Sequence, residues 1–420
     1  MLDKLRSTYR EFPGKFWVLV GAAFIDTVGS TLLFPFLALY VTRRFGVGMT
    51  QVGVLFAIFS VCGLLGSIVG GALTDRLGRR KMVIFGLVAS ALSVVAMGLA
   101  DDLAVLQALA VVVGLLSSIG GPANQAMVAD LLPEEQRAEG FGIVRVGANL
   151  AWIIGPTIGG LVASTSFFSL FVADAVASTI TAAVFYRLMP ETKPVRDETG
   201  PRETLAQTLL GYRVVIRDAA FVAFVVISIF MLLAYQQVYS TLSIFLRDVH
   251  GISAQGYGFL LSLNAGMVVL LQFAVTRRTK GHAPALMLAL ASGLYAVGFG
   301  MLGFVAAYAW FVVSAVLITI GEMIAVPVST ALATQFAPED MRGRYLAFYG
   351  LGWAIPSAIG PWAGGLIMDN YNPNWLWYAC ALACGLAILG FGALHRWAGP
   401  RLAPRPEEQL HAAQPATASQ

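Results

Sequence analysis

Residues 71–81 read GALTDRLGRRK, a cluster of glycines and charges wedged between two apolar stretches, near 51–74 and 82–100, each long enough to cross a bilayer. A short polar turn of this kind joins two membrane helices, and the whole composition agrees. Hydrophobic residues make up 58% of the chain and charged residues only 12%, against about 25% charged in an ordinary soluble domain. Crossing about 30 Å of hydrocarbon as a helix takes roughly 20 apolar residues, because the backbone must satisfy its own hydrogen bonds there. Twelve segments qualify, near 16–42, 51–74, 82–100, 103–131, 139–164, 167–189, 219–247, 254–276, 284–303, 308–335, 344–369 and 374–397. The first is too long for a signal-peptide core and lacks a small-residue cleavage site after it, so it is expected to be retained.

Lysine and arginine concentrate in cytoplasmic loops, and here they sort onto one side. That side carries Lys4, Arg6, Arg10 and Lys15, the 71–81 loop, Arg137, the basic residues between 187 and 217, then Arg277, Arg278, Lys280, Arg342, Arg344 and the C-terminal arginines. The other side has Arg43, Arg44 and Arg247, and Arg145 alone falls inside a segment. Both termini are therefore expected in the cytoplasm, and the net charge of +4 is explained by topology, with no nucleic-acid partner implied. Cys62, Cys380 and Cys384 lie within apolar segments as small hydrophobes. No metal site is implied, and no catalytic cluster either, since His250, His282, His395 and His411 fall at segment ends, in loops or in the tail.

The polar interval 190–218 divides the segments six and six. A shift of 205 positions then superposes Pro133, Glu134, Arg137, Gly147, Gly155, Pro156, Gly159 and Gly160 on Pro338, Glu339, Arg342, Gly352, Gly360, Pro361, Gly364 and Gly365. A duplicated six-helix unit predicts an all-α membrane protein of two pseudo-symmetric bundles, with the substrate path between them near the midplane. The expected domains are residues 1–189, a cytoplasmic linker 190–218, residues 219–397, and a disordered tail 398–420 whose composition lacks apolar periodicity.

Gly71, Leu73, Asp75, Arg76, Gly78, Arg79 and Arg80 match the loop signature of the major facilitator superfamily, glycine-x-leucine-x-aspartate-arginine-x-glycine-arginine-arginine/lysine, and the chain resembles that family. The resemblance implies a gate latch on the cytoplasmic side, with a loop arginine meeting an acid at the end of segment four, here Asp130. The equivalent loop of the second half, TRRTKGHAP, keeps only the charge. Segment five, GFGIVRVGANLAWIIGPTIGGLV, is similar to the antiporter motif of drug-efflux members through Gly142, Gly155, Pro156, Gly159 and Gly160. Ala151 stands where the family usually has a glycine, and small residues of this kind also serve close helix packing.

An ionisable residue in hydrocarbon costs roughly 2.5 to 3.5 kcal/mol on insertion scales, so each needs a partner, a cavity or a role. Asp26 lies about ten residues into segment one, near 15 Å deep by helix rise. Glu322 sits near the middle of segment ten, Asp174 in the outer third of segment six, and Arg145 about two turns into segment five. The resemblance implies that segments one, four, seven and ten line the cavity, which favours Asp26 and Glu322 as proton-coupling groups. The arginine that sugar and drug members carry in segment four is missing here. Arg145 either substitutes for it by pairing with Asp26 or another acid, or belongs to a structural ion pair. Candidate cavity-lining residues are Asn124, Gln125, Asn149, Tyr235, Gln236, Gln237, Tyr239, Asn264 and Trp353, with Phe34 and Tyr349 adding aromatic wall.

Apolar walls with a few acids suit lipophilic cations. The expectation is a 12-helix secondary transporter of the bacterial inner membrane, similar to the drug:proton antiporter branch and driven by a proton gradient without a cofactor. A monomer suffices, because one chain holds both halves of the pathway. Left open are a carrier dedicated to one metabolite, such as a sugar, an amino-acid derivative or a lipid, and a transport-inactive sensor or scaffold.

Overall fold

The structure is a computed structural model that describes residues 11–192, 213–338 and 341–402. Helix α1 (Gly14–Leu33) passes through a 3-10 turn at Phe34–Phe36 into α2 (Leu37–Phe45). Pro35 explains the break, since proline offers no N–H to the helical ladder. Then come α3 (Met49–Leu77), α4 (Arg79–Gly98), α5 (Leu103–Ser117), α6 (Gly120–Leu131), α7 (Glu134–Ala163) and α8 (Phe167–Leu188). The second half contains α9 (Ala219–Gln236), a 3-10 turn at Gln237–Tyr239, α10 (Thr241–His250), α11 (Ala254–Thr279), α12 (Pro284–Leu302), α13 (Tyr308–Phe336), α14 (Arg342–Asn370) and α15 (Asn374–Leu402). The described residues hold eleven helices long and apolar enough to cross a membrane, and the remaining expected segment, 344–369, is the continuous helix α14. Helix α15 runs past 397 to Leu402, so 398–402 continue a helix where a tail is expected. The expected tail at 403–420 and most of the expected linker lie outside the described residues.

Large apolar side chains stand bare on the helix faces, among them Leu270 and Phe273 at 79% exposure and Leu389 at 71%. Apolar faces of this kind suit helices that meet lipid.

The repeat expected at 205 positions is carried by the backbone. Helices α2 and α10 end on left-handed glycines 205 apart, Gly46 (φ 62°) and Gly251 (φ 65°). The first residues of α3 and α11 (Met49, Ala254), of α4 and α12 (Arg79, Pro284), and of α5 and α13 (Leu103, Tyr308) keep the same interval.

The described residues form two compact units. Among the described residues, one falls within Met1–Gly200, Gln237–Val269 and Ser357–Pro373, and the other within Pro201–Gln236, Leu270–Pro356 and Asn374–Gln420. Within the first, α1 packs between α7 and α8, over an apolar core of Phe16, Leu19, Met82, Ala123, Met127 and Phe185. Glycines bring backbones together in the same unit, and the contacts repeat. Gly159 meets Leu32 and Phe36, while Gly364 meets Gln237 and Thr241; Gly160 meets Ala254 and Gln255, while Gly365 meets Met49 and Thr50. Each contact is its counterpart moved by 205 positions. The second unit is held by aromatic stacking, with Tyr235 on Tyr295 at 5.8 Å and Phe299 on Trp377 at 6.4 Å.

Candidate functional site

Helices α1 and α8 meet along a seam that carries two carboxyl groups. On α8, Asp174, Ala177, Ser178 and Thr181 recur at spacings of three and four and so share one face. On α1 the facing positions are Ala22, Asp26 and Gly29. Ser178 Oγ donates to Asp26 Oδ1 at 2.8 Å, and Thr181 Oγ1 donates to the Ala22 carbonyl at 3.2 Å. Gly29 makes the approach feasible: a Cβ there would stand 2.5 Å from Ala177 Cβ and 3.0 Å from Asp174 Oδ1. Asp174 is 6% exposed and makes no hydrogen bond with another described residue. The two acids interact electrostatically, and neither has an ion-pair partner among the described residues.

A cavity of about 220 Å³ opens beside Asp26, and Ser90, Ser117, Asn124 and Thr181 contribute its polar lining. The Asn124 Oδ1 is buried and has no hydrogen-bond partner among the described residues. Asp26, Asp174 and Asn124 are thus brought together by the fold. Sequence reasoning did not find the hydroxyls of Ser178 and Thr181, because a helical serine or threonine commonly bonds its own preceding turn, as Thr179 does to Ala175.

Arg145 is placed elsewhere. Gly147, Ala151, Gly155 and Gly159 form the face of α7 that touches α1, against Val20, Thr31 and Leu32. Arg145 is two positions before Gly147, about 200° around the helix, and its side chain is exposed with no ion pair among the described residues. It does not pair with Asp26. Ala151 is fully buried and its carbonyl accepts from Thr31 Oγ1 at 3.3 Å, so alanine fits where a glycine is usual. Gly142 has open space around it, while Gly155 and Gly159 are tight against α1 and Pro156 lies inside the helix.

In the 71–81 loop, Gly78 takes φ 103° and starts α4. Arg79 Nε pairs with Asp130 Oδ2 at 3.1 Å, and its backbone N–H donates to Glu191 Oε1 at 2.7 Å. Thr192 Oγ1 also donates to Asp130, at 3.1 Å. Arg80 donates to the carbonyls of Phe185 and Tyr186. Arg79 is therefore the loop arginine that meets Asp130, and Glu191 is a further acid that the sequence pattern did not single out. Gly71 is uncrowded and Arg76 is exposed; the side chain of Asp75 lies outside the described residues.

Glu322 belongs to the second unit and is half-buried on α13. Next to it, the Met323 carbonyl accepts from Gln272 Nε2 at 2.9 Å. Tyr235 packs edge-on to Trp353 at 6.3 Å, and Trp353 Nε1 donates to Tyr349 Oη at 3.3 Å. In the first unit Tyr239 packs edge-on to Trp152 at 5.3 Å, and Gln237 Nε2 donates to the Gly360 carbonyl at 2.9 Å. Asn149, Gln236 and Asn264 are half-buried; Gln125 and Phe34 are exposed.

The sequence model of the Major Facilitator Superfamily matches residues 19–355 and 251–418. Relatives include an uncharacterized MFS-type transporter, YttB, of Bacillus subtilis, 29% identical over 84% of this chain and 88% of that protein. A Na(+), Li(+), K(+)/H(+) antiporter of Planococcus maritimus is 26% identical over 82% of this chain and 87% of its own. The multidrug resistance protein MdtH of Shigella flexneri is 26% identical, covering 90% and 93%. Among solved structures, a POT family transporter in complex with 5-aminolevulinic acid superposes with a TM-score of 0.77 at 16% identity, covering 93% of this chain and 97% of that one.

Proposed function

Because the chain belongs to the Major Facilitator Superfamily, and is thus a multi-pass membrane transporter and not an enzyme, we propose that it exports lipophilic, often cationic drugs in exchange for protons by alternating access. The observation behind this assignment is the α1–α8 seam. Two carboxyl groups face it without a basic partner among the described residues, one of them held by a hydroxyl and bordering a polar cavity. Carboxyl groups so placed in hydrocarbon can take up and release a proton, and retaining them against their insertion cost calls for a role. Asp26 is the primary proton carrier with Asp174 beside it, and Glu322 is the acid of the second half; Arg145, turned away from α1, takes no part in the Asp26 pair. Similarity to MdtH, a multidrug resistance protein, supports the substrate class.

The proposed topology has twelve spans, with α14 as the eleventh, arranged as six helices, a linker at 190–218 and six more. Both termini face the cytoplasm of a bacterial inner membrane, and a monomer is the working unit. The 71–81 loop, with Gly71, Asp75, Arg76, Gly78, Arg79, Arg80 and Asp130, serves as the cytoplasmic gate, and Gly155, Pro156, Gly159 and Gly160 form the packing spine of α7, with Gly142 outside it.

A second reading is exchange of monovalent metal cations for protons, favoured by the name of the Planococcus maritimus relative and by the oxygen ligands around Asp26. Competition separates the two. In everted vesicles energised by a proton gradient, uptake of a fluorescent lipophilic cation is measured against unrelated lipophilic cations, neutral metabolites and sodium, lithium or potassium salts. Inhibition by several unrelated organic cations is expected. Inhibition by one metabolite class alone would assign a dedicated carrier, and proton release evoked by the metal ions alone would select the second reading.

A further inference from the structure

The N-terminus of α3 leaves its first N–H groups without helical partners, and its N-cap residue, Gly48, has no side chain to satisfy them. An acid 320 residues away does so. Asp369, near the end of α14, accepts from the Met49 N–H through Oδ1 at 2.8 Å and from the Thr50 N–H through Oδ2 at 2.7 Å. Both lengths are those of charge-assisted bonds, and the carboxylate sits at the positive end of the 29-residue helix dipole. Space for it is built in. A Cβ on Gly48 would stand 2.6 Å from Asp369 Cγ, and a Cβ on Gly365, one turn before Asp369, would stand 2.5 Å from the Met49 carbonyl.

The backbone contacts here have a repeat-related mate, but the acid does not. Gly365 on Met49–Thr50 and Gly53 on Pro361–Trp362 correspond to Gly160 on Ala254–Gln255 and Gly258 on Pro156. At the position equivalent to Asp369 the first half has Ser164, which bonds its own helix at Leu161. The equivalent helix, α11, is capped locally, Ser253 Oγ accepting from the Gly256 N–H at 3.3 Å. All these residues lie in the first compact unit, at the end of α3 remote from the 71–81 loop, where helices from the two sequence halves touch.

We propose that Asp369 is a one-sided charge–dipole latch, which holds α3 and α14 together at this end in one state of the transport cycle and releases the Met49 and Thr50 N–H groups to water in the other. This rests on the alternating-access function proposed above. The test uses the full chain in liposomes, with spin labels at Gln51→Cys and Asn372→Cys in a background where Cys62, Cys380 and Cys384 are replaced by alanine. Separations are read by pulsed electron resonance, with and without a proton gradient and a lipophilic cation.

Short separations are expected to dominate with Asp369 present. Asp369→Ala is expected to raise the ratio of long to short by about tenfold, the scale of one hydrogen bond to a charged group, and Asp369→Asn by less. Gly48→Ala, which leaves the charge and crowds the carboxylate, shifts it in the same direction and covers the case in which Asp369→Ala fails to fold. Two separations whose ratio responds to the gradient but is unchanged in Asp369→Ala and Gly48→Ala would overturn the latch and leave the carrier standing. A single separation in every variant and condition would overturn both.

Discussion

At the scale of single residues, Ser178 and Asp26 form the contact on which proton exchange is proposed to turn. Ser178→Ala removes the donor and leaves the carboxyl in place, so the pH at which transport is half-maximal is expected to move while the maximal rate stays within a few-fold; an unchanged profile would make Ser178 a packing residue only. Arg79 and Asp130 offer a second test. Their side chains are 12% and 20% exposed, so the pair is screened less than a surface ion pair. A double-mutant cycle with Arg79→Gln and Asp130→Asn is expected to return a coupling of about 1 kcal/mol in thermal stability. Asp26, Asp174 and the 71–81 loop are legible in the sequence because charge in an apolar setting is conspicuous. Ser178 and Glu191 are not, because a hydroxyl in a helix and an acid at a helix exit are both ordinary until the partner is seen. The side of α7 that Arg145 occupies needed one more piece of knowledge, namely that the glycines four apart face α1.

Among the elements, α2 and α10 each stop on a glycine whose positive φ an L side chain adopts only at a cost. Gly46→Ala and Gly251→Ala are each expected to destabilise by roughly 1 kcal/mol, read as a lowered melting midpoint in detergent. Loss at one position only would mean that the two caps are not equivalent. A larger effect belongs to Gly155, where any Cβ collides with Thr31 and a methyl would come within 2.7 Å of Thr31 Cβ. Gly155→Leu forces α1 and α7 apart and is expected to abolish assembly, seen as loss of the monodisperse peak in size-exclusion chromatography. Segment positions were readable from apolar length. Apolar length runs unbroken through 16–42 and 219–247, so the splits at Phe34–Phe36, beside Pro35, and at Gln237–Tyr239, which has no proline, became visible only in the backbone.

Across the whole molecule, the interval of 205 positions links sequence to architecture. It relates glycine motifs in the chain, left-handed caps in the backbone, and the contacts Gly160–Ala254 and Gly365–Met49 in the packing. A repeat of this kind was readable without a structure because glycines at helix contacts are costly to replace. Its exception, Asp369, was not, since an acid at the end of an apolar segment reads as an interfacial residue. With both termini proposed as cytoplasmic, reporter fusions at the 71–81 loop and at the tail should be active as cytoplasmic fusions, and a fusion after Gly46 should report the opposite side. The most direct measurement of the central claim is proton movement evoked by substrate, in liposomes carrying the purified chain and an internal pH-sensitive dye. Several unrelated lipophilic cations are expected to evoke proton movement down an imposed gradient, and Asp26→Asn is expected to lose that movement while still binding the cations. Full proton-coupled transport in both Asp26→Asn and Glu322→Gln would contradict the account.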